Sequence, residues 1–318
     1  MTIMRRLGIS LVAALLTTTG CGVFSGGDST SEAPLERTEL RIGVSNPIDT
    51  APLRIAVADG KFSAAGLSVT LVDVAADQAI NKLSAGEIDI VFASDVSIFR
   101  AAAAGTALQL QGEAYTAGRN TMALVTLPGS DYTEPTVKRS PKVAVNMLDD
   151  VGVLAARSVL ATAGVDVTKI QFKQHPFDRM PQALQAGEAD AAWMVEPYIT
   201  RAEKELGASI LADGGRGATL DFPMSAYVSA GAFGQGNVRT LAAFRKVLSD
   251  AQVRAADPAV VRDALPTFSD IDRTTASLIS LGTYPVSLNG IRLQRVADLM
   301  HNSGMIGARL DVQALVPR

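Results

Sequence analysis

The chain of 318 residues holds a single cysteine, Cys21, so no internal disulfide can form. It holds two histidines, His175 and His301. Neither has a second histidine or a cysteine at ligand spacing, so no metal site is expected. Lysine and arginine total 29 against 32 acidic residues, and they form no basic stripe, which argues against a nucleic-acid partner. Beyond the N-terminus no run of about 20 apolar residues is free of charge, so the body is read as soluble. Nothing in the pattern calls for a cofactor.

What is present begins with the N-terminus. Arg5 and Arg6 precede an apolar stretch over 7–16, followed by Thr17-Thr18-Thr19-Gly20-Cys21. A positive start, a short apolar core and a small residue before the only cysteine mark a signal peptide over 1–20. The pattern resembles a bacterial lipoprotein signal, with Thr18 where leucine is commonest. That resemblance implies lipid attachment at Cys21, export, and anchoring at the extracytoplasmic face of the membrane. Losing Arg5 and Arg6 makes the net charge of −3 two units more negative. The Gly-, Ser- and Thr-rich stretch that follows reads as a flexible tether, placed over 21–37.

The body carries an internal repeat. Leu83-Ser84-Ala85-Gly86-Glu87-Ile88-Asp89 returns as Leu184-Gln185-Ala186-Gly187-Glu188-Ala189-Asp190, an offset of 101 residues. The same offset aligns 41–46 with 142–147, 69–71 with 170–172, Phe92 with Trp193 and Asp95 with Glu196. One register over three strand-like segments and a helix end predicts two copies of a strand–helix unit. Strands are expected over 38–45, 67–74, 88–93 and 108–114, with helices over 51–62, 77–85 and 96–104 between them. The second copy gives strands over 142–146, 169–175, 189–195 and 208–212, with helices over 151–163, 179–186 and 199–206. This alternation implies an α/β fold of two lobes, each a mostly parallel sheet flanked by helices. Strand 122–127 lacks a preceding helix, and strand 225–230 returns to the first lobe. Crossings are therefore placed at 115–120 and 213–223. Lobe one is 38–117 plus 224–318, and lobe two is 118–223.

Asp59-Gly60-Lys61-Phe62-Ser63-Ala64-Ala65-Gly66-Leu67-Ser68-Val69, the segment Ala79 to Ile90 and its counterpart Ala183 to Ala191 carry a family resemblance. They resemble the type II periplasmic substrate-binding proteins of ABC importers, in the branch for sulfonates, taurine, nitrate and thiamine-precursor pyrimidines. The resemblance spans about 40–248 and implies a two-lobed, monomeric, non-enzymatic clamp. Such a clamp delivers a small-molecule solute to a membrane permease driven by its ATPase. Two alternatives remain open at this point: an acid–base enzyme of the dehydratase type on the same fold, and an anion binder within the same family.

Ligands of open α/β sheets sit beyond the carboxyl ends of the strands. That rule selects Ser45, Asn46, Asp49, Thr50, Ser94, Asp95, Asn146, Asp149, Trp193, Glu196 and Tyr198, with Tyr115, Arg119 and Phe222 from the crossings. Asp95 and Glu196 stand at equivalent strand ends, where they either hold a cation or cap helices. Capping is preferred for Asp49, Asp149 and Asp150. Core packing and stacking both suit Trp193. The acidic bias, with Arg119 the only nearby cation, points to a neutral or cationic organic solute.

Overall fold

A computed structural model describes residues 33–317, and from Leu35 onward the chain forms one compact unit. The stretch expected as signal peptide, Cys21 and most of the expected tether lie outside the described residues. Glu36, within the expected tether, is engaged. Its carboxylate accepts from the backbone N–H of Arg239 (3.1 Å) and Thr240 (2.9 Å). The Thr240 backbone bond is the main reason its pKa is held down at about 2.

The first half runs β1 (Glu39–Val44), α1 (Ala51–Ala58), α2 (Lys61–Ala64), β2 (Ser68–Asp73), α3 (Ala79–Ser84), β3 (Ile90–Ser94), α4 (Asp95–Ala103) and β4 (Leu108–Thr116). The chain then crosses into β5 (Met122–Thr126) and repeats the pattern. The repeat comprises β6 (Lys142–Val145), α5 (Val151–Thr162), β7 (Gln171–Gln174), α6 (Met180–Gln185), β8 (Ala191–Val195), α7 (Tyr198–Leu206) and β9 (Ser209–Asp213). It returns as β10 (Pro223–Ala230) and ends in α8 (Gly231–Gly236), α9 (Val238–Ala255), α10 (Pro258–Phe268), α11 (Arg273–Leu278) and α12 (Gly290–Asn302).

Two five-stranded sheets result, in the orders β2-β1-β3-β10-β4 and β7-β6-β8-β5-β9. Each has one antiparallel strand that the other half of the chain supplies: β10 runs against β3 and β4, and β5 against β8 and β9. The repeat is visible atom by atom. Ile42 pairs with Ile90 as Val143 pairs with Ala191, and Val44 pairs with Asp73 as Val145 pairs with Gln174. Gly86 and Gly187 both take left-handed φ, 71° and 70°, a conformation that costs a side chain about 1–2 kcal/mol. Three residues on, Asp89 accepts from Arg41 N (2.8 Å) and Asp190 from Lys142 N (2.7 Å). The repeated motif is thus a helix stop whose aspartate ties down the neighbouring strand.

Apolar alternation in β1 buries Leu40, Ile42 and Val44 against Phe62 and Phe244, which stack at 5.8 Å. Burying each of those rings is worth about 1.5–3 kcal/mol. A second cluster around Met180, Met194 and Ile199 fills one face of the other sheet.

The sheets are joined by more than the two crossings the sequence suggests. β4 continues through Tyr115 to Thr116, so the first crossing is short, and its Ala117 N–H donates to Phe222 O of the second (2.8 Å). Between α10 and α12 a strap reaches α7 of the other half. Arg201 pairs with Asp270 (2.8 Å) and Lys204 with Asp272 (3.0 Å). The strap then returns to exchange two backbone hydrogen bonds between Thr283 and Thr116. No described helix is long and apolar enough to cross a membrane.

Candidate functional site

A cavity of about 580 Å³ lies between the two sheets, within the range of small-molecule sites. The carboxyl ends of strands from both halves supply its walls. Of the residues expected from sequence, Ser45, Asn46, Asp49, Ser94, Asn146, Trp193 and Tyr198 line it. Thr50, Asp95, Tyr115, Arg119, Asp149, Glu196 and Phe222 do not.

Each residue outside has a physical reason. Thr50 is fully buried; its hydroxyl donates to Asn46 O and accepts from Arg54 Nε. Tyr115 packs on Tyr284 at 5.3 Å and accepts from Gly282 N–H (2.5 Å), which fastens it to the strap. Phe222 is buried in the second crossing and Arg119 is exposed in the first. Asp149 is exposed and forms an ion pair with Arg100 of the opposite half.

The supposed pair Asp95 and Glu196 does not face across the cavity. α4 starts directly at Asp95, with Ser94 as its cap accepting from Ser97 N–H, and this turns Asp95 inward. Asp95 has no solvent exposure, and neither carboxylate oxygen has a hydrogen-bond partner. Burial first, then the like charge of Glu113, drives its pKa well above the ordinary value. Glu196 lies two residues before α7. It accepts from Thr200 N (3.1 Å), Thr200 Oγ1 (2.8 Å) and Ser280 N (2.9 Å), so it ties β8 to the strap. Its pKa is also raised, chiefly by burial.

Asp49 and Asp150 are the buried carboxylates that reach the cavity, one from each half, 8% and 3% exposed. Asp49 does not cap α1. Its Oδ2 accepts from Ser225 Oγ of β10 at 3.0 Å, and burial pushes its pKa up to about 7. Asp150 does cap α5, accepting from Val151 N–H (2.8 Å). It also accepts from Ser94 Oγ of the other half at 2.5 Å, and burial again raises its pKa. Asn46 Nδ2 reaches Glu196 O at 3.5 Å, a third contact between the halves near the cavity.

The aromatic wall has a repeat logic. Phe92 of β3 and Trp193 of β8, 101 residues apart, both line the cavity. Trp193 can lie against the first turn of α5 because Gly152 has no side chain. A Cβ there would stand 2.9 Å from Trp193 Cε3. Phe177 extends the wall, 6.0 Å from Trp193 and stacked on Tyr198 at 4.9 Å. Gln174 ends β7, Phe177 and Asp178 follow it, and Asp77 follows the end of β2. The strand-end rule, applied to β2 and β7 as well, finds them.

Among the described residues no group of three or more His, Cys, Asp or Glu side chains is placed to hold a metal ion.

Two mixed sheets joined by paired crossings, with a cavity between them, define the type II periplasmic-binding-protein architecture. The chain belongs to the NMT1-like family, whose model matches residues 33–267. No curated protein matches it. Among solved structures it is similar to the periplasmic aliphatic sulphonate-binding protein SsuA of Escherichia coli. That match has a TM-score of 0.69 at 20% identity, covering 89% of this chain and 92% of that one. The alkanesulfonate-binding SsuA of Xanthomonas axonopodis bound to MOPS gives 0.72 at 18% identity, with 90% and 100% covered. A ligand-binding component of an ABC-type import system from Staphylococcus aureus gives 0.75 at 13%, with 88% and 97% covered. At these identities the likeness is one of fold.

Proposed function

We propose that the protein is an extracytoplasmic binding component that captures a small organic solute between its lobes and delivers it to an ABC permease with its ATPase. Lobe one is built on the first sheet and lobe two on the second. The observation that carries this reading is the cavity itself. Both halves supply its walls and both buried carboxylates, so a solute inside touches both lobes and its binding favours their closure. Family membership and the fold support the same reading. Anchoring through a lipid on Cys21, export and a monomeric state complete it. The sulfonate named for two of the structural relatives is the alternative cargo, and the absence of any Lys, Arg or His from the cavity wall speaks against it.

The test is a thermal-shift screen with sulfonates, nitrate, pyrimidines, polyamines and flavins, since a ligand of the folded state raises the melting temperature. A hit is then followed by small-angle scattering. Contraction of the particle on saturation is expected, and a saturating solute that leaves the radius unchanged refutes capture by closure.

A further inference from the structure

We infer that the solute is a flat-ringed organic cation, whose N–H-bearing edge meets Asp49 of one lobe and Asp150 of the other while its ring lies against Trp193 and Phe177. This inference rests on the capture reading above and assigns the chemical class of its cargo.

Charge is the first argument. Asp49, Asp77, Asp150 and Asp178 line the cavity with no cationic side chain among them. Asp77 and Asp178 are exposed at its mouth, whereas Asp49 and Asp150 are buried. The neighbouring guanidinium groups are committed elsewhere. Arg100 pairs with Asp149, and Arg54 bonds Thr50, Ser45 O and Asp73. Two desolvated carboxylates without a cation are costly, and a positively charged guest between them offsets that cost.

Hydrogen-bonding valence is the second argument, and it is independent of charge. Asn146 Oδ1 lines the cavity, is buried, and has no partner, so it seeks a donor. Trp193 is 1% exposed and its Nε1 has no partner, so it seeks a single acceptor. Among the wall's buried side-chain atoms without a partner, one acceptor and one indole donor stand beside the carboxylates of Asp49 and Asp150. A molecule that satisfies them carries several N–H groups and one acceptor, which describes a protonated amidine or amino-heterocycle.

The position where an anion would gain most is already taken. The N-terminus of α5 offers its first N–H to the carboxylate of Asp150. A sulfonate or phosphate there would meet that carboxylate at contact distance instead of the free N–H groups that favour anions. The ring requirement follows from Trp193, Phe177 and Tyr198, a continuous aromatic surface on lobe two facing Phe92 on lobe one. Aromatic faces attract cations as well as rings.

Three isosteric probes separate the terms: benzamidine as the cation, benzamide as the neutral form and benzenesulfonate as the anion, each titrated calorimetrically into the full-length protein. Benzamidine is expected to bind at least about tenfold more tightly than benzamide, with no saturable binding of benzenesulfonate. Asp49→Asn and Asp150→Asn are each expected to weaken benzamidine about ten- to hundredfold and benzamide, which carries no charge to lose, by less. A cooperative thermal transition close to that of the wild type reports that each variant is folded. Equal or tighter binding of benzenesulfonate, no binding of benzamidine, or benzamidine affinity unmoved in both variants would each overturn the inference. If benzenesulfonate binds and contracts the particle in scattering, capture stands and only the charge class falls. If benzamidine binds with the expected preference but without contraction, the charge class stands and capture by closure falls.

Discussion

Replacing Asp95 with asparagine tests the reassignment of this residue from ligand contact to buried neutral acid. The group has no exposure and no hydrogen-bond partner, and its pKa lies well above normal for reasons led by burial. The charges around it are Glu113, Asp150 and Asp49, with Arg292 already paired to Glu113 at 2.7 Å. The folded state therefore keeps a proton that the unfolded state releases near pH 3.9. Stability from this group is full below that pH and is lost as pH rises toward the folded-state value, at about 1.4 kcal/mol per pH unit. Asparagine has no proton to lose. In urea titrations at pH 5, 6 and 7, Asp95→Asn should thus gain on wild type by about 1.4 kcal/mol with each step while the folded wild-type group stays protonated. Asp49, Asp150 and Glu196 have the same sign of shift, but they occur in both proteins and cancel from the difference. A difference that stays flat across this range would show that Asp95 ionises normally in the folded chain, and the account of its burial would fail. Since Asp95 does not line the cavity, solute affinity should be unchanged; weakened affinity with stability preserved would return it to the ligand.

Two further outcomes are expected. Glu196→Gln places an amide N–H₂ among three donors, Thr200 N, Thr200 Oγ1 and Ser280 N. It should cost about 1–3 kcal/mol in denaturant titration, and a loss below about 0.3 kcal/mol would mean that this tie contributes little. Cys21→Ala should leave the protein unacylated and released from membranes on fractionation, whereas an acylated product in that variant would place the lipid elsewhere.

The duplication was legible because both copies solve the same local problem. A helix must stop, and a strand must start beside its neighbour. Gly86 with Asp89 and Gly187 with Asp190 answer this with the same residues and the same hydrogen bonds. Seven of the fourteen expected residues line the cavity for the same reason, since strand ends are fixed by the repeat. The equivalence fails at Asp95 and Glu196 because α4 begins at once whereas α7 begins two residues later. That offset sends one carboxylate into the core and the other to the strap. The strap itself left no readable signal. Its hold on α7 comes from Asp270 and Asp272 and its hold on Glu196 from the Ser280 N–H, and ordinary polar residues at long sequence separation carry no local pattern.

The stitching of the two crossings to the strap has a consequence for how the molecule tolerates damage. Ala117 holds Phe222, Tyr115 holds Gly282, and Thr116 and Thr283 hold each other. The covalent links between the lobes are thus embedded in a small three-stranded splice. Cleavage of either crossing by a protease leaves the fragments registered by the remaining threads, so the nicked particle still behaves as one body. The same redundancy narrows the freedom of the lobes. Independent strings would let them twist and slide, whereas a splice resists both.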